Sequence, residues 1–142
     1  MRRNCVIIGK IIKRRIYHAE NCKYTECTRR HRPLFSGDYP GSLVFTSGQI
    51  PVDPATGAVA GDTIESQTKQ SMENVKAVLE AAGASCENII KTTCFLQDMN
   101  DFSAFNAIYE AYFVNKPARS CVEVVKLPKG VLCEVEAVAV IG

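Results

Sequence analysis

Between residues 64 and 82 the apolar side chains Ile64, Met72, Val75, Val78, Leu79 and Ala82 fall at helical spacing, and Gly83 follows at once. This pattern predicts an amphipathic helix stopped by a glycine in the left-handed C′ position. Such a helix has one stripe to bury and needs a second layer to bury it against. That layer is supplied by short runs rich in β-branched and aromatic residues: 43–46 (LVFT), 89–96 (IIKTTCFL), 119–126 and 131–140. A second helix is expected from a cap at Asn100 or Asp101 to about Phe113, with Phe102, Phe105, Ile108, Tyr109 and Tyr112 on its apolar stripe. Residues 16–21 could form a short first strand. Residues 22–41 read as a loop or irregular edge, and 51–61 as a loop from its prolines, glycines and aspartates. The resulting order β, β, α, β, α, β, β predicts an α+β sheet with both helices on one face.

A length of 142 residues suits one domain. No apolar run approaches the roughly 20 residues that span a bilayer. Charge divides the chain sharply. Residues 1–33 carry ten basic groups against two acidic ones (+8), and the other 109 carry seven against thirteen (−6). The expectation is a basic, poorly ordered extension over residues 1–15, an organelle address being one reading of it, and a single domain over 16–142. The seven cysteines form an odd set without close pairs or a secretory leader, which points to thiols in a reducing cytoplasm. Cys94 and Cys133 lie in apolar runs and read as small hydrophobes.

The last two runs carry the most chemistry. Side chains alternate along a strand, so Arg119, Cys121 and Glu123 share one face. A hairpin pairing Lys126 with Val131 would set Glu123 opposite Glu134 and Cys121 opposite Glu136. All five polar groups would then point the same way, leaving Ser120, Val122 and Val124 with Val135, Ala137 and Ala139 for the helices. A guanidinium there offers a planar fork for a carboxylate, and an acid beside it can position water. An exposed sheet face with an ordinary ion pair is the alternative on the residues alone.

Seven segments occur in a fixed order: TSGQIPVDPATG (46–57), QSMENVKAVLEAAG (70–83), KTTCFLQDMNDF (91–102), NAIYEAYF (106–113), PARSCVEV (117–124), LPKGV and CEVEAVAV. In these the chain resembles the Rid (YjgF) family of enamine/imine deaminases, also labelled endoribonuclease L-PSP, over residues 43–141. The resemblance implies a chorismate-mutase-like α+β fold, a homotrimer with sites between subunits, and no cofactor. It further implies hydrolysis of 2-aminoacrylate and 2-iminobutyrate, made by pyridoxal-phosphate-dependent dehydratases, to 2-oxo acids and ammonia. Mapped on this chain, Arg119 would bind the substrate carboxylate and Glu134 would position the attacking water, with Glu136 structural. Cys121, Ser47, Gly48 and Asn106 would line the pocket, Cys121 contributing backbone contacts and not required as a nucleophile.

The chain departs from the family pattern twice. Leu34 stands where the family carries a tyrosine that reaches the site, with Tyr39 out of register. Only Val114, Asn115 and Lys116 separate Phe113 from Pro117, some four residues fewer than usual, and Lys116 replaces a phenylalanine. A non-catalytic, regulatory 2-oxo-acid-binding trimer is therefore a second expectation. RNA binding or cleavage is a third, suggested by the basic residues 1–33, although the acidic remainder lacks a basic stripe with aromatic platforms. His18, Cys22, Cys27 and His31 could hold zinc, but at spacings that match no common finger, so no metal is assigned.

Overall fold

The computed structural model describes residues 34–36 and 43–141. The basic extension, the strand expected at 16–21 and the His18/Cys22/Cys27/His31 set all lie outside the described residues.

Among the described residues, five strands and two α-helices form two layers. In chain order they are β1 (Leu34–Ser36), β2 (Leu43–Phe45), α1 (Ile64–Ala81), β3 (Ile89–Leu96), α2 (Phe102–Tyr112), β4 (Ala118–Glu123) and β5 (Cys133–Val140). The sheet runs β1-β2-β5-β3-β4. β3 and β4, joined across α2, are parallel, and every other pair is antiparallel. β1, at the edge of the sheet, falls in the stretch read as a loop or irregular edge, where no separate strand was assigned. Three residues are too few to show a strand period, and β1 exists through its pairing with β2.

α1 begins where Thr63 accepts a hydrogen bond from the Ser66 amide. It ends at Gly83, whose φ of 79° is the left-handed conformation expected of the stop. Met72, Val75 and Leu79 of α1 and Phe105 and Tyr109 of α2 pack on Val44, Cys94, Leu96, Cys133, Val135, Ala137 and Ala139 of the sheet. The alternating burial along β5 follows from this single helix-covered face. The other face carries no helix among the described residues, and Phe45 and Val122 stand exposed on it.

Polar residues beside the α1 stripe are buried too, each with a partner. Asn74 Nδ2 donates to the carbonyls of Ile50 and Val52, both at 3.0 Å. Gln67 donates to the Gly61 carbonyl at 3.1 Å and accepts from the Leu132 amide at 2.8 Å. A second apolar cluster of Ile50, Val52, Leu127 and Val131 closes over Phe95 and Val124. The loop after β2 is thereby fixed to both layers.

The shortened link between α2 and β4 is closed by local chemistry. Asn115 Nδ2 donates to the carbonyls of Glu87 and Ile89 (3.1 and 2.8 Å), and Lys116 takes a positive φ of 51°.

The expected hairpin does not form. β4 pairs with β3, and β5 lies between β2 and β3, so β4 and β5 never meet. Arg119, Cys121 and Glu123 face Thr92, Cys94 and Leu96 on the helix side, together with Val135 and Ala137. Glu134 and Glu136 stand opposite Phe95 and Thr93, on the open side with Ser120 and Val122. The four-residue connector suggested a hairpin, but the β3–α2–β4 crossover offered β4 a buried parallel partner instead. Alternation within each strand was read correctly. Which strands are neighbours was not.

Candidate active site

On the helix side, Arg119 projects from edge strand β4 towards α2. Its guanidinium lies over the Tyr109 ring, 4.5 Å from the centroid, and 5.4 Å from that of Phe102. Nη1 donates to Asn106 Oδ1 at 2.7 Å, and Asn106 Nδ2 donates to Glu110 at 2.7 Å. One helix face, spaced 102–106–109–110, thus holds the fork in place while Arg119 remains partly exposed. Asn106, expected at the site, lies beside Arg119. Tyr109 and Glu110 were not named for it, although their three- and four-residue spacing from Asn106 places them on its face.

Tyr109 is itself anchored, its hydroxyl lying 2.7 Å from Thr92 Oγ1 in the buried interior. Tyr109→Phe keeps the ring under Arg119 and leaves the Thr92 hydroxyl without this partner. It should lower unfolding free energy by about 1–3 kcal/mol in a denaturant titration.

Cys121 is one step further along the same face, directly opposite Cys94 of β3. The Cys94 thiol, donating to Cys121 Sγ, lowers the Cys121 pKa to about 7. Partial burial opposes this shift and the Arg119 charge assists it. Nothing in the sequence pointed to this shift. Cys94 had been read as an inert hydrophobe, and its pairing with Cys121 is not visible in sequence. Cys94 itself is pushed upward, chiefly by donating to Cys121 and then by burial. Glu123, last on this face, accepts from the Met99 amide at 2.8 Å and so caps the turn leading into α2.

On the open side, Ser47 and Gly48 form a bulge against β5. Thr46 bonds to Ala137 and Gln49 to Val135, so two residues stand opposite Glu136 alone. The bulge brings the backbone of Gly48 against the Glu134 carboxylate so closely that a Cβ there would overlap it. Glu134 is half-buried. That burial raises its pKa, and the charge of Glu136, two residues along the same face, adds to the rise. A carboxylate so placed is a stronger base towards water than an exposed one.

The sequence-derived residues thus fall into two groups: Arg119, Cys121 and Asn106 on one side of the sheet, Glu134, Ser47 and Gly48 on the other. β3 stands between the strands that carry Arg119 and Glu134.

The match to the endoribonuclease L-PSP family model runs from residue 33 to residue 141. The chain belongs to this family, the Rid family. A 2-iminobutanoate/2-iminopropanoate deaminase of Salmonella typhimurium is 57% identical over 112 residues, which cover 76% of this chain and 87% of the relative. Among solved structures of the family, the YjgF gene product of Escherichia coli superposes with a TM-score of 0.73 at 45% identity, covering 84% of this chain and 95% of that one. TdcF of Escherichia coli with bound serine gives 0.71 at 43% identity, covering 86% and 96%. This Rid chain has no helix among its described residues long and apolar enough to cross a membrane.

Proposed function

We propose that this protein is an enamine/imine deaminase that hydrolyses 2-imino acids such as 2-iminobutanoate and 2-iminopropanoate to 2-oxo acids and ammonia. The observation that carries this reading is the Arg119 fork, held by Asn106 and the Tyr109 ring with N–H groups left for a carboxylate. The Salmonella relative bears the name of this activity, and TdcF holds an amino acid, whose carboxylate is the group such a fork would take.

In this reading Arg119 fixes the substrate carboxylate, so the electrophilic C2 of the imine is held in one place. Glu134 takes a proton from water as the water oxygen bonds to C2. Addition to the protonated imine leaves a neutral carbinolamine; the carboxyl returns its proton to the amino nitrogen, and as the C–N bond breaks to release ammonia the carboxylate takes the hydroxyl proton and the C2 carbonyl forms. 2-Aminoacrylate enters after tautomerising to its imine. Ser47 and Gly48 shape the wall beside the attacking water, and Cys121 lines the pocket next to Arg119. None of these steps calls on a cofactor.

Arg119 and Glu134 cannot meet around one substrate within a single chain, because they leave opposite faces of the sheet from strands separated by β3. A site between subunits of a homotrimer brings one chain's Arg119 to another's Glu134. The helix-free face, with Phe45 and Val122 exposed, is the surface such an assembly would cover. The cysteines resolved at 86, 94, 121 and 133 are all free thiols, in keeping with a cytoplasmic setting.

The test is steady-state hydrolysis with a dehydratase supplying fresh imine. Ammonia release well above the uncatalysed rate supports the reading. Tight 2-oxo-acid binding with no acceleration would instead make the protein a non-catalytic binder. Gly48→Ala, which drives a methyl group into the Glu134 carboxylate, should lower kcat/KM in this assay by about 10²-fold through misplacement of that group.

A further inference from the structure

Cys94 and Cys121 have no part in the steps above as nucleophiles, yet the sheet sets them side by side. They are direct partners on the adjacent parallel strands β3 and β4, and both side chains leave on the helix face. Neighbouring strands lie about 4.8 Å apart. Disulfides need Cα atoms roughly 4.4–6.8 Å apart with Cβ atoms facing, a range that includes this spacing. Neither of the other thiols described offers this geometry. Cys133 stands opposite Leu96 rather than Cys94, and its sulfur sits between the Thr68 and Ser71 hydroxyls at 3.8 and 3.7 Å. Cys86 belongs to the turn before β3.

We propose that Cys94 and Cys121 are a reversible disulfide site, oxidised by peroxides, with Cys121 the attacking and Cys94 the resolving thiol. The roles follow from exposure and charge. Cys121 lies on the edge strand, partly open to solvent, two residues from the Arg119 guanidinium on the same face. Cys94 is fully buried, directly opposite Cys121. A thiolate pKa of about 7 suits Cys121 to the first step.

In that step the Cys121 thiolate attacks one peroxide oxygen, the O–O bond breaks, and the departing hydroxide takes up the proton the thiol had released, leaving as water. Cys121 is then a sulfenic acid. Cys94 sulfur attacks Cys121 sulfur, the S–O bond breaks, and the Cys94 proton leaves with the departing hydroxyl as water. Two thiols and hydrogen peroxide have become one disulfide and two waters, each sulfur losing one electron. The buried partner thereby keeps Cys121 from the irreversible sulfinic acid.

The bond does not depend on the deaminase reading and is measured without reference to activity. The full-length protein is treated with hydrogen peroxide, free thiols are blocked, and the unreduced tryptic peptides are analysed by mass spectrometry. The expected product joins the peptide containing Cys94 to Ser120–Lys126, lighter than their sum by two hydrogens, and thioredoxin or dithiothreitol separates them. Cys121→Ser should abolish the linked species. Cys94→Val, an isosteric change in a buried strand position, should send Cys121 on to the sulfinic acid. Absence of the linked peptide from the parent protein would overturn the proposal. So would sulfinic acid appearing at Cys121 equally fast with and without Cys94.

Discussion

Arg119→Ala should lower kcat/KM for 2-iminobutanoate by about 10²–10³-fold while leaving the far-ultraviolet circular dichroism unchanged. Losing one partner of a charge-assisted pair costs about 2–5 kcal/mol, and each 1.4 kcal/mol is tenfold in rate. The fold should survive, because Arg119 lies on an edge strand and the Tyr109 ring keeps its own bond to Thr92. Arg119→Lys should recover little. An ammonium cannot bond Asn106 and present a planar fork to a carboxylate at once. Retention of full activity by Arg119→Ala would remove the carboxylate anchor from the proposed mechanism.

Glu134→Gln should lower kcat by about 10²–10⁴-fold, the usual contribution of a positioned general base. It should also leave the protein at least as stable at neutral pH. Burial raises the Glu134 pKa in the folded state, so the folded protein holds the proton more tightly than the unfolded chain. Stability from that proton is complete below the unfolded value of about 4.3 and is lost as pH rises through the folded one. Glutamine mimics the protonated form, so its melting temperature should match or exceed the parent's at pH 7, with the gap closing in acid. In the parent, kcat/KM should fall as pH drops through the same raised pKa. A shared site adds a sharper result. Subunits carrying Arg119→Ala, re-assembled with subunits carrying Glu134→Gln, should recover about a quarter of parent activity, because that fraction of random interfaces receives both intact groups. No recovery on mixing would place both groups in one subunit's site.

The helices and β3 were legible in the sequence because each repeats its period long enough to be unmistakable. Gly83 marked the end of α1, and the alternation of Cys133, Val135, Ala137 and Ala139 marked the buried face of β5. What the sequence hides is adjacency. A period of two says which residues share a strand face, and nothing in it says that β4 pairs with β3 across α2. Glu134 was therefore set on Arg119's side when it lies on the other, and Cys94, buried in the core as read, also faces Cys121, which no periodicity reveals. Gln67 and Asn74 left a fainter trace, as polar residues bordering an apolar stripe. Their partners, carbonyls and an amide of distant loops, are set only once the layers close.

β5 is the last strand in sequence but lies in the middle of the sheet, between β2 and β3. During synthesis, every earlier strand except β1 and β4 must wait for it with an unpaired edge. The two halves of the sheet become one only when residues 133–140 have left the ribosome, so a chain cut short before them has no native-like half to fall back on. Such a product should expose the edges of β2 and β3 that β5 covers, and should be open to proteolysis. The order of the strands thus ties closure of the sheet to the arrival of residues 133–140.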